Sequence, residues 1–451
     1  MTENKSVAYH LNREKLLLNG PIPHLFVKYA LPGVAGLLFI GLQSVVDGVV
    51  LGHFVGANAL ASVNLILPCY SLFTAFAIII GVGCQTIISI SLGQRDRKKA
   101  NNALTSLFIF LIISSVLVSG LIFIFAKDIA WILGANDVLI NDSVAYIQSL
   151  VPFYPILCVM FLGDYVIKAM GHPLYATSVM ATSVVINIVL AICMVGVLGW
   201  GVKGAGLSTG IAFTVGAILN VPRLFNPLGV VAVQRGKFDR KLVWQAFYNG
   251  SSEGVSELSV AVTVYLFNLT MMKYIGENGV AAFTAINYTL FIGTTFFLGV
   301  SDGIIPIIGY NFGANKKDRI RAVLKIAVFT NMVIGLSLFL LLYFFGEQVI
   351  GIFFKDDDAQ ALQIASYGVS IYCFAFLLMG LNILASSYFT AIGNAKISII
   401  ISALRALVFV SIGILVLPAC FGIEAIWFDI PIAETCTLFV SLWLVSKSLK
   451  K

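Results

Sequence analysis

The sequence predicts an all-α polytopic membrane protein, with 12 transmembrane helices in two six-helix lobes related by an internal repeat. Three observations carry this. The 451 residues are 59% hydrophobic and only 11% charged, with mean hydropathy +0.98, whereas a soluble domain carries roughly 25% charged residues. Phe54–Leu104 aligns without a gap on Tyr274–Leu324, so that Gly56 falls on Gly276, Asn58 on Asn278, Ala61 on Ala281, Gly83 on Gly303 and Gly93 on Gly313. Basic runs, Arg95–Lys99 and Lys316–Arg321, follow both final glycines. Two like halves in a membrane are the usual build of a secondary transporter.

The elements follow in order. Met1 to Leu18 is polar and charged, unlike a cleavable signal peptide. The apolar stretches then predict spans at 25–50, 59–91, 103–126, 144–168, 175–197 and 204–226, and again at 243–272, 279–309, 322–345, 362–389, 396–419 and 423–446. Each is long enough for the roughly 20 residues that a bilayer crossing needs. This gives an N-terminal lobe over 1–226, a cytoplasmic link over 227–242 and a C-terminal lobe over 243–451. The link is the most polar of the connections, holding Arg235, Lys237, Asp239 and Arg240. Later parts of the halves correspond too, Trp200–Gly206 with Phe421–Trp427 and Ile211-Ala212 with Ile432-Ala433. Six spans per half makes the repeat parallel.

Orientation follows from the basic residues. With both termini in the cytoplasm, only Lys127, Lys203, Lys273 and Lys355 of the 28 lysines and arginines lie outside, while Asp356, Asp357 and Asp358 sit there too. This is a positive-inside pattern, and it accounts for the net charge of +7 without a nucleic-acid partner. The seven cysteines lie in or at the ends of spans with no paired spacing of the metal or redox type, so they read as small packing residues. The four histidines form no cluster.

The candidate functional residues are ionisable groups inside spans, each costing about 2.5–3.5 kcal/mol on insertion scales. Asp47 lies in span one. Glu253 and Glu257 lie in span seven, four apart on one helix face. Two such carboxylates cannot both ionise cheaply in low dielectric, which suits uptake of a proton or a cation. Solvation at the cytoplasmic end is the plainer reading, more so for Glu253 than for the deeper Glu257. Asp164 and Lys168 suit an interfacial ion pair. Asp302 suits either a cavity or the inner mouth. Arg405 in span eleven needs a partner, for which Glu434 and Asp429 are the candidates, as a structural ion pair. No paired-Asp, Ser/His or His/Glu metal spacing marks an intramembrane enzyme.

Taken together, these residues resemble the multidrug and toxic compound extrusion (MATE) family, particularly its bacterial MepA-like branch. The resemblance runs over about residues 20–446. It is carried by Val45–Gly52, Gly56–Ala61, Gly81–Gly83 with Ser91–Gly93, Pro306–Ala314, Ala403–Arg405 and Pro431–Glu434. It implies two lobes that alternate in access, exporting amphipathic, mostly cationic drugs or metabolites from a monomer in the bacterial inner membrane. H⁺ or Na⁺ would be the coupling ion, with no cofactor. It also implies an N-lobe cation site of Asp47, Asn187, Thr209 and the Ala205 carbonyl, with Na⁺ at Asp47 as the only metal, and a helix kink at Pro32.

One departure stands out. Many relatives carry an aspartate four residues after the span-five asparagine, where this chain has Ala191. The missing charge favours a proton shared between Asp47 and neutral partners, or coupling at Glu253 and Glu257. A lipid-linked saccharide flippase is the rival reading, although it needs cavity cations for pyrophosphate and only Arg405 is deep in a span.

Overall fold

A computed structural model describes residues 16–227, 229–234, 236, 238–354 and 359–450. The cationic Arg235, Lys237 and Lys355 and the acids Asp356–Asp358, used above for orientation, lie outside the described residues, as do residues 1–15 and 451. Among the described residues there is no strand, and twelve helices are long and apolar enough to cross a membrane. They are α1 (Ile22–Phe54), α2 (Asn58–Gly93), α3 (Arg97–Ile124), α4 (Ile140–Ala169), α5 (Pro173–Val197), α6 (Gly201–Leu224), α7 (Arg240–Tyr274), α8 (Glu277–Gly313), α9 (Lys317–Gly351), α10 (Ala359–Ala391), α11 (Ala395–Phe421) and α12 (Ile423–Leu449). Each overlaps a predicted span, and most overrun it by a few residues at both ends. A 33-residue helix is about 50 Å long, well beyond the roughly 30 Å of hydrocarbon. Polar ends such as Arg97-Lys98-Lys99 therefore stay helical past the apolar stretch, which hydropathy does not register.

The repeat is written into the backbone. A 3₁₀ turn interrupts α4 at Val151–Phe153 and α10 at Cys373–Ala375. Arg95 and Asn315, two residues after the matched glycines, both adopt left-handed φ, 64° and 56°. Glycines with positive φ close the corresponding turns, Gly171 and Gly393 among them, where a side chain would be strained.

The chain forms two compact units. Unit 1 holds Ala35–Gly250 and Gly309–Asn315, with the described segment ending at Gly20. Unit 2 holds Pro21–Val34, Ser251–Ile308 and the chain from Lys316 onward. Within unit 1, α2 meets the start of α7 where a Cβ on Gly83 would overlap the Ala246 carbonyl and one on Gly250 the Ile79 carbonyl. The ends of α2 and α8 meet in the same manner, Gly93 against Tyr310 and Gly313 against Ile90. Within unit 2, Gly33 of α1 packs on Gly299 of α8, and Gly303 on Ala30. Such small residues let helix backbones approach where lipid supplies no hydrophobic drive.

The link after α6 is a packed segment. Val230, Val231 and Ala232 are buried. Its backbone N–H groups donate to α3 side chains, Ala232 to Asn101 at 3.0 Å, Gln234 to Thr105 at 3.1 Å and Asp239 to Ser106 at 3.0 Å. Unit 2 has an aromatic core in which Phe267 and Phe283 stack at 4.4 Å, beside Tyr372 and Trp427.

Candidate functional site

In unit 1, the second part of α1 carries Asp47 one turn after Gln43. The two share a face because they are four residues apart. That face borders a cavity of about 190 Å³, with Asn64 from α2, Tyr146 from α4, and Ala205 and Thr209 from α6 among its lining residues. Polar side chains converge beside it. The Asp47 carboxyl faces the side-chain amides of Gln43 and Asn187. Asn187, on α5 and fully buried, donates from Nδ2 to Thr209 Oγ1 at 3.1 Å, and Thr209 donates to the Ala205 carbonyl at 3.1 Å. Ser208 donates to the same carbonyl at 2.8 Å.

This bond sequence fixes what the site can bind. Asn187 spends an N–H on Thr209, so its Oδ1 is an acceptor. Among the described residues neither Asn187 Oδ1 nor Asp47 Oδ1 has a hydrogen-bond donor, although both atoms are buried. Buried acceptors left unpaired are costly. An electropositive guest, a proton or a small cation, suits such acceptors, and oxygen donors suit a hard cation such as Na⁺. Ala191 lies one turn beyond Asn187, 1% exposed, and packs with Val50, Leu51, Val202 and Ala205. The place of the absent acid is therefore apolar.

Pro32 lies inside α1, where it has no N–H to give the preceding turn. Two residues later, between Val34 and Ala35, α1 passes from unit 2 to unit 1.

In unit 2, Glu253 and Glu257 share a face of α7. Glu253 is half-buried and Glu257 exposed on the protein. The deeper position along the span is thus the less covered by protein. The charged neighbours of Glu253 are Asp302, Arg405 and Glu257. Arg405 sits in a π turn of α11, and its Nε lies 3.4 Å from Glu434 Oε1. Asn382 donates to Glu434 Oε2 at 2.7 Å and to the Glu434 backbone carbonyl at 2.8 Å. The alternative partner, Asp429, is not in this pair. Its carboxyl turns onto α11 at Gly413, where a Cβ would overlap it. Nearby, the buried hydroxyls of Ser252, Thr390, Ser398, Ser386 and Ser402 join α7, α10 and α11 through contacts of 2.6–3.1 Å. In unit 1, Asp164 and Lys168 pair at 2.7 Å on α4, both nearly buried.

Three participants escape a reading of the sequence. Gln43 carries the i, i+4 signal to Asp47 and is visible on a helical wheel. Tyr146 and Asn382 are brought in by tertiary packing alone. All seven cysteines are free thiols.

Among the described residues, twelve candidate membrane helices in two repeated halves, with acids placed inside spans and one of them in a cavity, define a transporter type of membrane protein rather than an enzyme. The MatE family profile matches residues 32–193 and again 255–415, once in each half, and the chain belongs to the MatE family. Among curated relatives it is 24% identical to the multidrug export protein MepA of Staphylococcus saprophyticus, over 90% of each chain. It is 23% identical to MepA of Staphylococcus aureus, over 94% of each. Among solved structures, a MOP superfamily transporter from Pyrococcus furiosus superposes with TM-score 0.89 at 22% identity, covering 97% of this chain and 98% of that one. An outward-facing multidrug resistance MATE transporter of the same superfamily gives 0.88 at 23%, covering 96% and 98%. The all-α, twelve-helix fold and the resemblance to MATE transporters read from the sequence are thereby borne out.

Proposed function

We propose that this protein is a cation-coupled antiporter that exports amphipathic, mostly cationic drugs or metabolites across the bacterial inner membrane, both termini being cytoplasmic. Entry of H⁺ or Na⁺ drives export, and the two lobes expose the substrate to each face in turn. The observation that carries this reading is the Asp47 cavity. A membrane-embedded carboxyl is set there beside the buried acceptor Asn187 Oδ1, an arrangement that suits an electropositive guest. Relatives named as multidrug export proteins, matched over at least 90% of both chains, support the direction of transport. Ala191 in place of an acid favours H⁺ over Na⁺ at this site, since one fewer negative ligand is available to a metal ion.

The flippase reading has less support. Its pyrophosphate would need unpaired cations, and Arg405 is held by Glu434 at 3.4 Å. The deciding experiment is efflux of a cationic dye from vesicles with Na⁺ and pH gradients imposed separately. Dye export driven by either gradient supports the proposal. No export under both refutes it.

A further inference from the structure

Unit 2 carries a buried acid that the proposed function does not use. Asp429 is 1% exposed, and neither carboxyl oxygen has a hydrogen-bond partner among the described residues. It opens the α-helical part of α12 yet caps nothing, because no backbone N–H reaches it. The Tyr372 hydroxyl lies within electrostatic reach of it. That hydroxyl is also buried without a partner among the described residues. The Tyr372 ring sits 6.2 Å from Phe267 and 6.0 Å from Trp427.

The repeat gives this acid a meaning. A shift of 221, the register that matches Ile211-Ala212 to Ile432-Ala433, places Asp429 on Ser208. Ser208 is the neighbour of Thr209 and bonds the Ala205 carbonyl of the Asp47 site. On the preceding span a shift of 222, which matches Gly171 to Gly393, places Gly413 on Ala191. The Asp429 carboxyl rests on Gly413. Asp47 itself maps onto Phe267, which stacks on Phe283. At the position of Asp47 unit 2 therefore has an aromatic ring, and an acid stands on its last helix at the position of Ser208.

We infer that Asp429 is a second proton-binding carboxyl, set in unit 2 where the repeat sets the Asp47 site in unit 1. An ionised carboxylate buried with neither donor nor counter-charge is strongly disfavoured. Binding a proton from water forms one O–H bond and removes the charge, and release reverses the step. A metal ion is a poor guest, because no cluster of three or more His, Cys, Asp or Glu side chains that could hold one occurs among the described residues. Gly413, too small to fill the space, leaves room for the carboxyl.

The charged groups on the packed elements leave this assignment open to test. Tyr372 of α10 is the titratable group that interacts with Asp429 electrostatically. Arg405 of the α11 π turn is held by Glu434, and Glu424 precedes Asp429 in the 3₁₀ turn. Lys396 is the remaining charge on α11, at its start. The α10 segment Phe376–Ala391 carries no charged residue.

The inference is independent of which ion drives export, and infrared spectroscopy of the full chain in lipid tests it directly. A carboxyl that holds a proton without a hydrogen bond gives an isolated high-frequency carbonyl band. The band is expected in the wild type and in Asp47→Asn, to shrink as pH rises, and to vanish in Asp429→Asn. Export by Asp429→Asn is expected to lose part of its pH dependence, and Asp429→Glu to restore it. Identical spectra for wild type and Asp429→Asn would overturn the inference, as would an unchanged pH profile in a variant that has lost the band. If Asp429→Asn does not fold, Gly413→Ala gives the same reading: its Cβ displaces the carboxyl, and a band that does not move refutes the assignment. Loss of export in Asp47→Asn with the band intact would bear on the proposed function alone.

Discussion

Neutralising Glu434 is expected to unsettle unit 2 through a charge left without its partner. Glu434→Gln keeps the length of the side chain and removes the negative charge 3.4 Å from Arg405, in a place where the two side chains are 3% and 16% exposed. Breaking a buried pair from one side costs about 3–5 kcal/mol, because the remaining ion is desolvated and unpaired. Asn382 adds less. It keeps the Glu434 backbone carbonyl as an acceptor at 2.8 Å and merely exchanges a charged acceptor for a neutral one, a change of about 1 kcal/mol. Removing both charges in Arg405→Met/Glu434→Gln is expected to recover most of the loss, leaving the double variant within about 1–2 kcal/mol of wild type. Thermal unfolding of purified protein in detergent, followed by tryptophan fluorescence, reads the series. A Glu434→Gln midpoint equal to wild type, or single-variant losses that simply add in the double, would refute the reasoning.

Other outcomes follow from the same geometry. Asp47→Asn keeps the shape of the cavity and removes its charge, so gradient-driven dye efflux should fall to background at unchanged expression and thermal midpoint; efflux near wild type would remove Asp47 from coupling. Ala191→Asp buries a carboxyl among Val50, Leu51 and Val202, so its melting midpoint should drop without Na⁺ and recover as Na⁺ is added; a midpoint indifferent to Na⁺ would show that no cation reaches that turn. Glu257→Gln, at the deeper and more exposed site, should weaken export of cationic dyes more than Glu253→Gln, with the double variant resembling the worse single one; additive effects, or a larger loss from Glu253→Gln, would contradict a shared charge on this face of α7.

Hydropathy marks the twelve helices because a bilayer punishes any other pattern, and the matched glycines reveal the repeat because close helix crossings tolerate nothing larger. Helix ends are less visible, since Arg97-Lys98-Lys99 extends α3 through helical propensity where apolarity stops. Asp47 is evident from its cost inside a span. Its companions Asn187 and Thr209 emerge by likeness to a family, as neutral polar residues are ordinary in spans. The partner of Arg405 was open between two acids because sequence distance does not tell which way a side chain turns on α12. The packing of 229–234 onto α3 was hidden for a different reason: its bonds run from backbone N–H groups, which carry no residue signature.

The helix ends exchanged between the units have a further consequence. Unit 1 is completed by Arg240–Gly250 and Gly309–Asn315, and unit 2 by Pro21–Val34, so each half of the sequence lends pieces to the other in the manner of a domain-swapped dimer fused into one chain. Cutting the gene between the repeats would yield two fragments that each lack part of their own packing, the helix end that seats against Gly83 in one case and against Gly303 in the other. Such fragments should assemble only when made together. Each of Gly83, Gly93, Gly303 and Gly313 packs on a segment from the other half of the sequence, so a larger side chain at any one of them requires a matching change in that segment.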